Sequence, residues 1–287
     1  MDGKHKFGGV LRGLGERIMS SDTGYDKPKG IAAGFVSVCD FAESGEIIAN
    51  LAYLLAKKGI VVCIADFKVF YPNLFDWIPG VSAEKQGDGL IRLLNNDRAE
   101  VKSAAQKTDD ENIFLVSPSP NDDIEDYLNF SVSNIKRVIS TLKETFDVVL
   151  IDIPNNPPFE FCLASLMSCH HGFFVASERV DAPRNIEKLL NYALSLTDEV
   201  RSFCNIIISR RQGLLFEENA FSGIRLKNKA GYDKLRVAAK LPFLPSVQES
   251  ALSGELYLRD AVLPNKEFSR EINKISDLIG RDFKGDE

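Results

Sequence analysis

Histidine and tryptophan are scarce in this chain and cysteine follows no pattern, so several chemistries fall away before any motif is read. The three histidines, His5 and the adjacent His170-His171, are too few and too clustered for a histidine-based catalytic network. The pair precedes an apolar run and reads as structural. Cys39, Cys63, Cys162, Cys169 and Cys204 share no metal-ligand spacing, so they read as reduced, mostly buried thiols of a cytoplasmic protein. No Gly-x-Ser-x-Gly elbow, metalloprotease helix or zinc-knuckle spacing occurs. The longest apolar stretches, such as 60–65 and 148–151, are strand-length, well short of the ~20 residues of a membrane span. Residues 1–22 alternate charges and glycines, unlike a signal peptide.

What is present is the composition of a globular protein, 44% hydrophobic and 26% charged, with a net charge of −6. That balance weighs against a dedicated nucleic-acid binder, but charge is uneven. Residues 96–127 hold nine acidic and three basic side chains, while residues 210–240 hold eight basic and three acidic ones. Two solvated faces would account for both. The basic side chains are Arg210, Arg211, Arg225, Lys227, Lys229, Lys234, Arg236 and Lys240. Leu214, Leu215, Phe216 and Phe221, interspersed among them, suit a protein-docking loop as well as a DNA surface.

Residues 1–30 form a glycine-bearing leader in which Phe7, Val10, Leu11, Leu14 and Ile18 fall at helical spacing. Each glycine would cost a helix roughly 1 kcal/mol, so a flexible or packed leader competes with a docking or membrane-surface helix. From 31 to 283 strand and helix alternate without a linker, the pattern of one domain. Apolar runs at 34–39, 60–66, 113–117, 147–152, 172–177 and 205–209 lack polar alternation, which marks strands buried on both faces of a largely parallel sheet. Helical periodicity predicts helices over 46–58, 131–145, 183–197 and 266–280, the first closed by Lys57-Lys58-Gly59. The fold class expected is α/β, doubly wound, with helices on both faces of a mostly parallel sheet.

The order of these elements and several short motifs resemble the MinD/ParA group of P-loop ATPases, over roughly residues 30–280. Asn50-Leu51-Ala52 matches a habitual "ANLA" of that family. Asp66 followed by Tyr71-Pro72-Asn73-Leu74 resembles its "DADxxxPNL", and residues 147–154, DVVLIDIP, resemble the "YDYVIIDTPP" that carries the Walker B aspartate. Residues 241–251, LPFLPSVQESA, resemble the late "IPYDPAVREA" segment. Among its branches the TadZ/CpaE-like localisation proteins fit best. The tyrosine-kinase branch does not, since its terminal tyrosine cluster is lacking and the last tyrosine is Tyr257.

The family loop "SGKGGVGKTTTAANLA" lies on residues 37–52 without a gap, and its chemistry is replaced position by position. Cys39 stands for the lysine that reaches across a dimer. Asp40, Phe41 and Glu43 stand for the phosphate-cradling glycines, Ser44 for the loop lysine and Gly45 for the magnesium-holding hydroxyl. Lys68 falls on the water-orienting aspartate and Ser209 on the base-recognising asparagine. Asp66 and Asp152 remain, either to hold Mg if any binds or as strand-end caps. A one-residue shift still supplies no lysine anywhere from 37 to 56.

Losing a lysine–phosphate contact removes on the order of 2–5 kcal/mol. Each carboxylate at contact distance adds roughly 1–4 kcal/mol of repulsion. Acids at 40, 43 and 46 facing a triphosphate should therefore remove most of a micromolar affinity, about 8 kcal/mol. A solvated turn with no ligand is the simpler account of the same acids. The expectation is a noncatalytic pseudo-ATPase with no catalytic residues, metal or cofactor. It would be a localisation or assembly factor for a pilus, secretion, conjugation or polar complex. Protein partners, a homodimer that is constitutive if it forms, and a cytoplasmic, polar or machine-recruited location accompany that reading. Two alternatives stand beside it: a ParA-like partition protein with nonspecific DNA binding and residual ATP/Mg control, and an active ATPase using unconventional groups.

Overall fold

A computed structural model describes residues 30–82, 89–97, 99–119, 121–213, 218–226 and 235–281. The leader over 1–29 lies outside them, as do Leu214, Leu215, Phe216, Lys227, Lys229 and Lys234. Eight strands among the described residues form one sheet: β1 (Ile31–Ser37), β2 (Val62–Asp66), β3 (Gln106–Lys107), β4 (Ile113–Val116), β5 (Val148–Ile153), β6 (His171–Ala176), β7 (Asn205–Arg211) and β8 (Arg236–Pro242). Their order is β3-β4-β2-β5-β1-β6-β7-β8, parallel throughout except for β3 against β4. The helices are α1 (Ser44–Ala56), α2 (Gly89–Asn95), α3 (Val101–Ala104), α4 (Val132–Thr145), α5 (Phe159–Ser168), α6 (Ala182–Leu196), α7 (Pro245–Leu252), α8 (Tyr257–Asp260) and α9 (Lys266–Gly280).

Strand residues of β1, β2, β4 and β5 are almost wholly buried because both sheet faces are covered. On one face Val36, Ala65, Val149 and Ile151 join Ile135 and Ile139 of α4, Phe161 of α5 and Ile186 of α6. On the other, Phe35, Ile64, Leu150 and Phe173 pack with Ile47 and Leu51 of α1 and Ile272 and Ile275 of α9. Glycine is required where strands crowd their neighbours: a Cβ on Gly172 would lie 2.2 Å from the Phe203 ring. His170 serves structure, its Nδ1 accepting the Ala32 amide at 3.0 Å.

Several predicted boundaries are corrected. β1 begins three residues before the predicted run, and the loop begins at Val38. α1 starts at Ser44 rather than 46 and stops at Ala56, so Lys57 is its C-cap and Lys58 lies beyond the last turn. Gly59 then adopts a φ of 82°, a left-handed stop that glycine takes without strain. β7 runs on to Arg211. β8 and α5 lie where no element is predicted: β8 is a half-exposed sheet-edge strand, and α5 follows a proline-rich segment.

Phe173 is fully buried, stacked on Phe35 with ring centroids 5.0 Å apart. Phe173→Ala is expected to lower unfolding free energy in urea by about 3–5 kcal/mol. Val180→Ala, at a 97% exposed position, should stay within about 0.5 kcal/mol.

Candidate functional site

In open α/β sheets ligands bind beyond the carboxyl ends of the strands, where the order reverses. Here β1 leads into the loop at 38–43 and α1, flanked by β5 and β6. The loop keeps a phosphate-loop shape. Phe41, at a family glycine position, holds φ 64°, in the left-handed region, which costs a non-glycine residue roughly 1–2 kcal/mol. Phe41 thus takes the backbone conformation of the glycine it replaces, and it exposes 71% of its surface.

Three of the amides at this turn, however, are engaged within the chain. The Ala42 amide donates to the Cys39 carbonyl, the Glu43 amide to Ser209 Oγ at 3.4 Å, and the Gly45 amide to Glu43 Oε1 at 3.1 Å. Glu43 is therefore the N-cap of α1 and answers one of the helix's open donors itself. Ser177 Oγ donates to the Asp40 carbonyl at 2.9 Å and lies 3.3 Å from Cys39 Sγ, which ties the loop to the end of β6. Gly45 is demanded by a neighbour: a Cβ there would lie 2.5 Å from the Trp77 ring.

The centre of the site is a lysine. Asp66 and Asp152, register partners at the ends of β2 and β5, are both fully buried. Asp66 Oδ1 accepts the Lys68 amide at 3.0 Å, and its Oδ2 accepts the Asn73 and Leu74 amides at 2.9 and 3.0 Å. Asp152 has no such amides. Its Oδ1 accepts the Ser44 hydroxyl at 2.7 Å, and its Oδ2 lies 2.8 Å from Lys68 Nζ in an ion pair. The same ammonium donates to Ser44 Oγ at 3.0 Å. Lys68, expected only as the loss of an aspartate, thus restores a positive charge beside a loop that has lost its own lysine.

Burial pulls the Lys68 ammonium down, but Asp152, then Asp66 and Glu43, outweigh it and leave its pKa above the ordinary value. Two buried carboxylates share one cation. Burial, then the neighbouring Asp152 charge, accordingly pushes Asp66 up, and burial pushes Asp152 the same way.

The acids do not all face the loop's mouth. Glu46 points inward, 5% exposed, and pairs with Arg210 Nε at 3.2 Å. Arg210 itself holds φ 49°. The two left-handed non-glycine residues of the described chain, Phe41 and Arg210, line one cavity of about 590 Å³ with Ser177, Arg179, Phe243 and Gln248. Glu43 instead lines a cavity of about 660 Å³ with Asp76, Glu255, Phe75 and Trp77. Sequence reasoning does not single out Trp77. Its signal is being the chain's lone tryptophan, a few residues past the Tyr71–Leu74 motif.

Among the described residues, the basic side chains of the 210–240 segment do not form one surface. Arg210 is committed to Glu46. Arg211 pairs with Glu267, and Arg236 Nε donates to Asn205 Oδ1 at 2.8 Å. Arg211 and Lys240 meet Arg270 and Lys274 around a further cavity, where Glu267 and Glu271 offset them. Arg225 is exposed and uses backbone groups, its amide donating to Glu187 and its carbonyl accepting from Asn191.

A magnesium-bound nucleotide does not fit these residues. The groups that hold the metal in P-loop ATPases are a loop hydroxyl and the Walker B aspartate; here Ser44 and Asp152 hold the Lys68 ammonium instead. No group of three or more His, Cys, Asp or Glu suited to a metal occurs among the described residues. No described helix is long and apolar enough to cross a membrane.

No family model matches the chain, and no curated relative does. Solved structures do. A ParA family ATPase from Chlorobium tepidum TLS superposes with a TM-score of 0.70 at 18% identity, covering 88% of this chain and 98% of that one. The septum site-determining protein MinD from Pyrococcus horikoshii OT3, solved with Mg-ADP, gives 0.66 at 19% identity, covering 89% and 98%. The MinC:MinD cell division complex of Aquifex aeolicus gives 0.65 at 19%, covering 88% and 96%. At these identities the likeness concerns architecture: the chain has the MinD/ParA-type P-loop NTPase fold.

Phe41→Gly should leave stability unchanged or raise it by up to about 1 kcal/mol, because glycine removes the left-handed strain and little burial is lost. A thermal melt checks this, and a large loss would show that the ring is held by contacts. Burial outweighs Arg210 at Glu46, raising its pKa from an ordinary 4.5 to about 7. The folded chain therefore keeps a proton that the unfolded chain has released. That stability is complete below the ordinary value and is lost as pH rises through about 7. Urea titrations from about pH 5 to about pH 8 should show a decline on the order of 1–3 kcal/mol from this group. Glu46→Gln should reduce the slope, with Asp66 contributing the remainder in the same direction.

Proposed function

We propose that this chain is a noncatalytic protein of MinD/ParA type, a localisation or assembly factor that works without a nucleotide cycle. The observation that carries this reading is Lys68 Nζ lodged between Asp152 and Ser44, at 2.8 and 3.0 Å. An ATPase needs that aspartate and a hydroxyl for its metal. Its phosphate-binding amides must also be open, and those of Ala42, Glu43 and Gly45 are spent on the chain's own acceptors.

A partner protein is the ligand class that the remaining surface supports. The cavity beside the loop combines carboxylates of Glu43, Asp76 and Glu255 with the rings of Phe75 and Trp77. Such a lining accepts an ammonium or guanidinium by ion pairing and cation–π contact and repels phosphate. A basic segment of a pilus, secretion, conjugation or polar complex fits that chemistry. The MinC:MinD complex is a case of a protein of this fold that acts with a protein partner. The offsetting of Arg210, Arg211 and Arg236 by internal partners weighs against DNA as the main ligand.

Isothermal calorimetry with ATP and magnesium tests the reading. Heats indistinguishable from dilution are expected, and a dissociation constant below about 10 µM, worth roughly 7 kcal/mol, would overturn it. Phosphate release should stay at the buffer rate, unchanged by Asp152→Ala.

A further inference from the structure

We propose that the Lys68 ammonium is this chain's resident substitute for a divalent cation, so that a metal site lies latent beneath it and appears when the lysine is removed. The proposal deepens the noncatalytic reading and rests on it.

Its ground is the match between what Lys68 touches and what such a cation needs. Magnesium favours hard oxygen ligands, keeps several waters and is commonly held by one or two carboxylates. Ser44 Oγ and Asp152 Oδ2 are such oxygens, and both lie within 3.0 Å of Nζ. Ser44 is one residue before the position at which the resemblance places the metal-holding hydroxyl. It still reaches Asp152 Oδ1 at 2.7 Å, so the hydroxyl–carboxylate pair is intact although the register has moved. Asp66 stands beside Asp152 with its oxygens taken by three backbone amides, a supporting carboxylate rather than a ligand.

The lysine's own backbone makes the substitution permanent. Its amide is fixed on Asp66 Oδ1, so the side chain sets out from the end of β2 toward the end of β5 and the start of α1. One ammonium therefore joins three elements that meet at the switch point, without any exchangeable ion. With the Lys68 side chain 19% exposed and that of Asp152 fully buried, the contact is largely closed to solvent. Removing Lys68 leaves two adjacent buried carboxylates with no counter-charge, a deficit that protons or a cation from solution must meet.

The test uses the full chain and the bare metal. The melting temperature of the unmodified protein should not respond to about 10 mM Mg²⁺ or Mn²⁺. Lys68→Ala should melt lower and recover by at least ~3 °C when either ion is added. Manganese bound by this variant should disappear from the free-ion electron paramagnetic resonance spectrum, and the loss should vanish in Lys68→Ala/Asp152→Asn. A folded Lys68→Ala protein indifferent to both ions would overturn the proposal, as would an equal response in the unmodified chain. Should Lys68→Ala not fold, Lys68→Met with Asp152→Asn decides. Recovery of folded protein upholds charge compensation, whereas a double variant as damaged as Lys68→Met alone reduces Lys68 to packing. Tight, magnesium-independent ATP binding by the unmodified chain would remove the noncatalytic reading and leave the Lys68 assignment standing. A missing cation response would do the reverse.

Discussion

Two carboxylates placed side by side at the ends of β2 and β5, both shut off from solvent, require positive charge nearby. Breaking a buried pair by deleting one member typically costs about 3–5 kcal/mol, because the survivor is left charged and dry. Much of the local architecture follows from meeting that requirement with Lys68. The lysine must leave β2 at a fixed angle, which Asp66 enforces by accepting its amide. Asp66 in turn needs the Asn73 and Leu74 amides, and these seat the short 3-10 turn at Leu74–Asp76. That turn carries Trp77 over Gly45, closing the start of α1. A chain of dependence thus runs from one ion pair to the shape of the cavity beside it.

The loop shows the same substitution of internal for external partners. Phosphate-binding loops keep backbone amides open and use glycine to approach an anion. This one retains the left-handed turn at Phe41 while the amides of Ala42, Glu43 and Gly45 donate to Cys39, Ser209 and Glu43. Strain at Phe41 and at Arg210 is sustained by the ties on either side, Ser177 to the Asp40 carbonyl and Glu46 to the Arg210 guanidinium. Backbone in sparsely populated regions persists where its surroundings over-determine it. Both strained residues face the same cavity, lined also by Ser177 and Arg179, and not the acidic, aromatic one beside Trp77.

The strands and the longer helices were legible because burial on two faces writes continuous apolar runs, and α9 writes a stripe at Phe268, Ile272, Ile275 and Ile279. β8 escaped because an edge strand alternates exposure weakly, and β3 has two residues. Within the site, the replacement of loop residues could be read position by position, since the correspondence over 37–52 has no gap. What could not be read was compensation. Lys68 meets Ser44 across 24 residues, Asp152 meets Ser44 across 108, and Arg210 meets Glu46 across 164. Each pair exists only once β1, β2, β5 and β7 lie in sheet order. A one-dimensional reading therefore counts Lys68 and Glu46 as losses.

Counting them in three dimensions changes what Asp66 and Asp152 signify. Two aspartates left behind by a lost metal site would be a burden: desolvation penalises the charge, and substitution by asparagine or an apolar residue would relieve it. Here Asp66 binds three amides and Asp152 binds a hydroxyl and an ammonium, so each would leave buried donors unanswered if it were removed. The pair is therefore built into the structure by its own hydrogen bonds and ion pair. In a fold whose relatives include a MinD with Mg-ADP, the same corner of the sheet is here held together by a cation on a covalent tether. A tethered cation cannot dissociate, and a corner held by one has no loaded and unloaded states to alternate between. On the proposed reading, control of this chain comes from what docks on the acidic, aromatic rim.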